Sequence, residues 1–388
     1  MNILLLSQFF STTKGGGEYV FSLIANQLAQ DGNNVWVITN RLKNEKYVSH
    51  KNINFIFIDP PIEYKGGLPP GFLDNLRYAI GSISKGFNII RKKNIDIIHS
   101  NNFAPALGGS FLSSLTGKPH ITTVHDVFSL CGKDYWKKWG KQNNVSKINV
   151  SLAPFFEKLM LKLNYNAIHT VSEATKDDLI KFGAKKPIYV VPNSLETTDV
   201  LNTEQVPLQF IYIGRLVFYK NLEIVIKAIK LVKKTYPEIV LVIVGGGPNK
   251  ENLERLVNDL NLQDNVKFTG FISSNDKTKL LASSEALVFP SLCEGFGLVI
   301  LEAFAQKKPV LVSDVRPLSD IVTSSINGFV IPPHDETQWA NAIKEVIEEP
   351  EKAHIIGQNG RKTLDEKYSN ISMYRKIQDM YSYCITKK

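Results

Sequence analysis

Short runs of β-branched and aliphatic residues recur along this chain, separated by amphipathic stretches of helical period. "NILLLS" at the N-terminus leads into Gly15-Gly16-Gly17, then into a segment with Val20, Leu23, Ile24 and Leu28 on one face, closed by Asp31-Gly32. "VWVIT" (35–39), "NFIFI" (54–58), "IDIIHS" (95–100), "HITTVH" (120–125), "AIHTVS" (167–172) and "IYVVP" (188–192) continue the strand series. Their hydrophobic positions are nearly continuous rather than alternating. A strand of that kind is buried on both faces, which is the condition of a parallel sheet covered by helices.

The pattern then restarts. "FIYIG" (210–214) reads as a strand, Leu222 to Tyr236 as a helix, and "VLVIVGGG" (240–247) as a strand running into a glycine turn. A helix near Asn252–Leu260 follows, and "NVKFTG", "ALVFPS" and "PVLVSD" supply three more strands. Between the two series lies "NSLETTDVLNTEQVP", polar, threonine-rich and closed by Pro207, as a linker should be. A chain of 388 residues is long enough for two domains with separate cores. The expected fold class is α/β: two Rossmann-like, doubly wound domains of parallel sheet, covering 1–200 and 201–367 and facing a central cleft. Ligands in such sheets bind outside the carboxyl ends of the strands, so the loops there carry the chemistry.

Composition narrows the class. A hydrophobic fraction of 43% with 21% charged residues is that of a globular protein. No window reaches the roughly 18 uninterrupted apolar residues of a membrane span. "MNILLLSQFF" lacks the basic region and cleavage site of a signal peptide and reads better as a first strand. Cys131, Cys293 and Cys384 are scattered, odd in number and without metal-type spacing, which suits a reducing cytoplasm. The net charge of +9 is unevenly spread: residues 1–200 hold 23 Lys+Arg against 15 Asp+Glu, and residues 201–388 hold 23 against 22. A basic half points to an anionic partner, either a membrane surface or a phosphorylated substrate. Nucleic acid is disfavoured, since no recognised motif accompanies the dispersed charge. Within that half, "DYWKKWGKQNNVSK" (134–147) sets Lys137, Lys138, Lys141 and Lys147, with Lys133 just before it, around Trp136 and Trp139. It suits an anionic membrane interface or, alternatively, a solvated loop.

Several strand ends carry residues suited to an anionic ligand. Gly15-Gly16-Gly17 lets the backbone approach closely where a helix begins, although a glycine turn is common after any first strand. Gly245-Gly246-Gly247 lacks the spacing of a dinucleotide fingerprint. In "YIGRLVFYKNL", Arg215 and Lys220 display two cations at a strand end, fit for the two phosphates of a diphosphate or for a solvated surface pair. In "PSLCEGFGLVILEAF" (290–304), a helix is expected from about Gly297, with Glu294 in the loop before it and Glu302 about one and a half turns in. Free N–H groups of the Gly295–Leu298 region make an anion site between these carboxylates. The apolar neighbours of Glu302 argue against an exposed salt bridge there.

Together, Glu294-x7-Glu302 around "EGFGL", the "GRL…K" of Gly214–Lys220, the "GGxE" of Gly15–Glu18 and "VPN" at 191–193 resemble the retaining GT-B glycosyltransferases of family 4. "VHD" (124–126), "VSEAT" (171–175), "FTGFIS" (268–273) and "NGFVIPPHD" (327–335) fall in the same family order, so the resemblance spans nearly the whole chain. It implies an acceptor-binding N-terminal domain, a sugar-nucleotide-binding C-terminal domain, and a last helix, about 368–388, crossing back to the first. By position, Arg215 and Lys220 would neutralise the donor diphosphate and Glu294 would accept hydrogen bonds from the donor sugar. Gly295, Phe296, Gly297 and Leu298 would present backbone N–H groups, and Glu302 would hold the ribose hydroxyls. Gly16 and Gly17 would approach the donor from the other domain, His125 would sit beside the transferred sugar, and Phe271-Ile272 would flank the base.

The implied activity is transfer of a sugar from a nucleotide-diphosphate donor to an acceptor hydroxyl, with retention by front-face attack, in cell-surface polysaccharide or glycolipid assembly. The acceptor would be a sugar or a lipid-linked sugar. No cofactor and no metal are expected, because the sequence contains no Asp-x-Asp and offers two cations instead. The location would be cytoplasmic, at most peripheral on the inner face of the membrane. Ser194, the stretch Ala305-Gln306-Lys307-Lys308-Pro309 and Asp320 depart from the family pattern. The competing classes are a sugar-nucleotide epimerase of the same fold, a non-enzymatic two-lobed sugar-binding protein, and a nicotinamide-dependent dehydrogenase, the last disfavoured by the missing glycine fingerprint.

Overall fold

The computed structural model describes residues 1–11, 15–43, 47, 50–63, 72–132, 134–195 and 199–386. In chain order the elements are β1 (Asn2–Leu6), α1 (Gly17–Gln30), β2 (Asn34–Leu42), β3 (Ile53–Ile62), α2 (Phe72–Lys93), β4 (Ile97–Ser100), α3 (Ala104–Thr116) and β5 (His120–Val124). There follow α4 (Tyr135–Gln142), α5 (Lys147–Met160), β6 (Ala167–Thr170), α6 (Glu173–Phe182) and β7 (Ile188–Val190). The second series comprises β8 (Gln209–Ile213), α7 (Leu222–Val232), β9 (Val240–Val244), α8 (Lys250–Asp259), β10 (Val266–Gly270), α9 (Ser274–Ser283) and β11 (Ala286–Phe289). It continues through α10 (Leu298–Ala305), β12 (Val310–Ser313), α11 (Leu318–Ile321), β13 (Phe329–Ile331), α12 (Glu336–Glu348), α13 (Pro350–Lys367) and α14 (Asn370–Thr386).

The chain divides into two compact units, one of residues 1–130, 151–194 and 370–388, the other of 131–150 and 195–369. The first holds a seven-stranded sheet in the order β3-β2-β1-β4-β5-β6-β7, the second a six-stranded sheet in the order β10-β9-β8-β11-β12-β13. Every strand pair in both is parallel. This is what the unbroken apolar runs require, and the central strands are fully buried: Ile3 to Leu6 and Ala286 to Val288 are all at 0% exposure. In the first unit, Leu4, Leu6, Ile38, Tyr78, Ile98 and Leu112 form one core cluster, in which the Tyr78 hydroxyl donates to Ile38 O at 2.8 Å. Helix starts follow their capping residues: Ser172 accepts from Thr175 N, Ser273 from Asp276 N, and Asp335 from both Thr337 N and Gln338 N.

Three departures from expectation have physical causes. Residues 131–150 group with the second unit, because Tyr135 packs its ring on Phe218 and Tyr219, and Gln142 Oε1 accepts from Phe218 N. The segment expected as a membrane-facing or solvated loop is therefore largely helical (α4), with its first aromatic spent on packing; Lys133 lies outside the described residues. The cysteines are not all separate thiols: Cys131 and Cys293, 162 residues apart, are joined as a disulfide, and Cys384 is free and buried. No helix among the described residues is long and apolar enough to cross a membrane.

Candidate functional site

Both sheets reverse their strand order once, and in the second unit the reversal falls between β8 and β11. The chain leaves β8 toward β9 and leaves β11 toward β12, so the loops after these two strands part and open a crevice. The first loop carries Arg215 to Lys220 and the second carries Pro290 to Gly297. They are laced together: Leu292 N donates to Tyr219 O at 2.8 Å and Ser291 Oγ to the same oxygen at 3.3 Å. Lys220 Nζ donates to Glu294 Oε1, both side chains being nearly buried, at 13% and 12% exposure. The ammonium also lies 5.1 Å from the centre of the Phe289 ring and 5.4 Å from that of Tyr219, within cation–π range. Beneath the loop, the Tyr212 hydroxyl donates to Arg215 O at 2.9 Å. Burial first, then the nearby Glu294 charge, push that phenol well above its ordinary pKa, so it stays a donor.

Gly297 takes the left-handed conformation at φ +93° and caps α10; a Cβ there would meet Leu318 Cδ2 at 3.0 Å. The turn aims the first N–H groups of α10 outward from the apolar helix body. Phe296, 5% exposed, packs edge-on against Tyr368. Glu302 lies within α10 and meets a residue the sequence did not single out. Lys277 of α9 donates to its Oε1 at 2.8 Å and lies 2.7 Å from Oε2. The pair is half-buried, not the exposed salt bridge that the apolar neighbours argued against: those neighbours are buried, while the carboxylate reaches a lysine on the adjacent helix. Phe271, 74% exposed, and the half-buried Ile272 follow β10. Gly245 has a structural task, because a Cβ on it would stand 2.1 Å from Gly214 O. The glycine turn after β9 thereby lets the Arg215 loop pack closely.

Gly16, Gly17 and His125 belong to the first unit. Gly16 is the residue before α1, and its carbonyl accepts from Val20 N at 3.0 Å. A Cβ on Gly17 would lie 3.0 Å from His125 Nε2, so glycine is what lets the imidazole rest against the start of α1. His125 Nε2 is 3.1 Å from Asn101 Oδ1, which makes that nitrogen the protonated one. Desolvation lowers the His125 pKa to about 4, leaving the ring neutral near pH 7. Asn101, the first residue after β4, was not anticipated; no sequence pattern distinguishes it from its neighbour Asn102. The "VSEAT" motif supports the same histidine from behind, since Thr175 Oγ1 donates to His125 O at 3.3 Å.

Two family models match the chain: Glycosyltransferase Family 4 over residues 14–199 and Glycosyl transferases group 1 over residues 193–363. An uncharacterized glycosyltransferase of Methanocaldococcus jannaschii is 26% identical over 92% of both chains. The Escherichia coli UDP-Gal:alpha-D-GlcNAc-diphosphoundecaprenol alpha-1,3-galactosyltransferase is 24% identical over 78% of this chain and 79% of its own. Among solved structures, sucrose-phosphate synthase from Thermosynechococcus elongatus superposes with a TM-score of 0.81 at 22% identity, covering 100% of each chain. The fold is therefore GT-B.

Proposed function

The chain belongs to the glycosyltransferases built from a Family 4 domain followed by a group 1 domain, and we propose that it transfers a sugar from a nucleoside-diphosphate donor with retention and without a metal. The observation that supports this reading is the contact of Lys220 with Glu294 across the two loops at one strand-order reversal, with Arg215 on the same loop as Lys220. Breaking a sugar–phosphate bond builds negative charge on the departing diphosphate, and fixed cations at a helix N-terminus stabilise that charge where it develops. In this reading Lys220 exchanges partners: the diphosphate competes with Glu294 for the ammonium, and the released carboxylate accepts hydroxyls of the sugar. Lys277 would do the same for Glu302, which takes the ribose diol. The loop N–H groups from Gly295 to Leu298 hold the sugar and phosphate, and Phe271 and Ile272 lie along the base.

Within the first unit, Gly16, Gly17 and a neutral His125 are offered as the residues that serve the reaction from that domain. No second carboxylate is needed as a nucleophile when the departing phosphate takes the acceptor proton on the same face, unlike a retaining glycosidase. The acceptor is taken to be a sugar of a polysaccharide or glycolipid precursor, the class named for the Escherichia coli relative. The test is incubation with UDP-, GDP- and ADP-sugars and a panel of glycolipid acceptors. Nucleotide release that depends on acceptor, with a product of the donor's anomeric configuration, supports the reading. Conversion of the donor sugar to its epimer without nucleotide release overturns it.

A further inference from the structure

Asn101 and His125 follow neighbouring parallel strands, β4 and β5, at their carboxyl ends. The Asn101 backbone N–H donates to Leu6 O at the end of β1, at 2.8 Å, so the sheet fixes where this side chain starts. An asparagine amide has an accepting oxygen and a donating NH2 group, and either end can face an imidazole. Asn102 removes that choice. Its backbone N–H can only donate, and it lies 2.9 Å from Asn101 Oδ1. The atom shared by Asn102 N and His125 Nε2 is therefore the oxygen, and Nε2, 3.1 Å away, carries a proton to meet it. The opposite tautomer would set two lone pairs against each other at that distance.

A neutral imidazole has one N–H and one bare nitrogen, so a proton held on Nε2 leaves the lone pair on Nδ1. The packing of the ring agrees. The His125 atoms nearest to a Cβ built on Gly17 are Nε2, Cδ2 and Cε1, at 3.0, 3.4 and 3.5 Å, so the Nε2 end rests against the start of α1. The backbone is tied by Thr175 Oγ1, which donates to His125 O and lies 3.0 Å from Ser172 Oγ. Nδ1 has no hydrogen-bond partner among the described residues, and the side chain is half-buried. His99, His120 and His169 of the same sheet differ. Each has both ring nitrogens bonded, His169 Nε2 reaching Val191 O at 3.4 Å. Those three histidines are spent inside the unit, whereas His125 is pinned at one nitrogen and bare at the other.

We propose that Asn101 is a positioning residue for sugar transfer: it holds His125 with the proton on Nε2, so that Nδ1 is offered to the substrate as a hydrogen-bond acceptor and selects a group that donates, a sugar hydroxyl. The inference rests on the reading of this chain as a glycosyltransferase served by His125, and adds the chemistry that His125 can recognise. A hydroxyl meets the Nδ1 lone pair with a hydrogen. A carboxylate or phosphate oxygen meets it with a second lone pair and is turned away, and a deoxy position leaves it unmet. The choice of tautomer is thus a choice of substrate group, made by an asparagine that need not touch the substrate.

The test begins without substrate. Long-range proton–nitrogen NMR of the full chain with isotope-labelled histidine, at about pH 8, tells a protonated Nε2 from a protonated Nδ1 in a neutral ring. The His125 signals are identified by their loss in His125→Gln. The proton is expected on Nε2; a proton on Nδ1 in the wild type overturns the proposal. Asn101→Leu, similar in size and without an acceptor, should lose the sheltered Nε2–H signal to exchange with water. It should also lower kcat/KM for sugar transfer by about 10-fold, the worth of one hydrogen bond, while circular dichroism and affinity for UDP, GDP and ADP stay unchanged. Asn101→Asp keeps the accepting oxygen and should restore both the signal and the rate at about pH 8, where the ring stays neutral beside the added carboxylate. A wild-type rate in Asn101→Leu overturns the proposal. A wild type with the expected spectrum that transfers no sugar from any donor would overturn the sugar-transfer reading and the role given to Asn101 with it, leaving only the tautomer standing.

Discussion

Acidification should unfold the first unit, and the cause lies in histidines buried within its sheet. His99, His120 and His169 stand on β4, β5 and β6 at 0%, 0% and 1% exposure. Their ring nitrogens are used: His99 bonds Tyr381 and Thr123, His120 bonds Ser100 and the carbonyl of Asn164, and His169 bonds Thr123. Desolvation dominates their titration, lowering His120 to about 4 and His169 to about 3, and driving His99 far down. In the unfolded chain each returns to its ordinary value of 6.5. Below that pH the unfolded state binds protons that the folded state refuses, so stability is fully present above it and falls as the pH drops toward the folded values. At about pH 5 the loss is roughly 2 kcal/mol for each of His120 and His169, with His99 adding to it. Glu157, whose carboxyl is raised by burial, acts with the opposite sign and offsets part of this. About 4 kcal/mol is a large share of a stability of roughly 5–15 kcal/mol. Urea unfolding in pH steps from about 7.5 to about 5 should show this slope, and His169→Gln should reduce it by about one proton whatever that variant does to absolute stability. A flat profile over this range, or an unchanged slope in His169→Gln, would refute the argument.

Further substitutions separate the roles in the second unit. Activity should persist in excess EDTA, because Arg215 and Lys220 supply the positive charge; abolition by EDTA with recovery on adding manganese would contradict this. Glu302→Ala should mainly raise the donor KM, since the ribose does not change during reaction, whereas Glu294→Ala should lower kcat by roughly 10²-fold. Equal and small effects from the two would show that the pair was misassigned. Gly245→Ala should lower the melting temperature of the second unit, because a Cβ there meets Gly214 O at 2.1 Å. An unchanged melting temperature would mean that the Arg215 loop yields without cost.

The sheets were readable because burial on both faces leaves an unmistakable mark: "ILLL" (3–6), "VLVIV" and "ALVF" have no polar position to lose. The loops after β8 and β11 were readable as strand-end loops through "GRL…K" and "EGFG", whose glycines and charges follow strands directly. Other motif residues turned out to hold the frame. Asp335 of "NGFVIPPHD" caps α12, and Ser172 of "VSEAT" caps α6. Two departures from the family pattern also have local partners, since Ser194 Oγ donates to Asn370 Oδ1 at the start of α14, and Gln306 accepts from Leu201 N. What escaped the sequence was pairing over distance. Lys277 and Glu302 are 25 residues apart on separate helices, and Cys131 and Cys293 are 162 apart, with no periodicity linking either pair.

The central claim is that the loops after β8 and β11 hold a nucleoside diphosphate through Arg215 and Lys220. Its most direct test is calorimetric titration of UDP, GDP and ADP into the wild type, Arg215→Ala and Lys220→Ala. A charge-assisted hydrogen bond contributes about 1.5–3 kcal/mol, so each substitution should weaken the best-bound nucleotide by roughly 10- to 100-fold. Equal affinity in all three proteins would contradict the account.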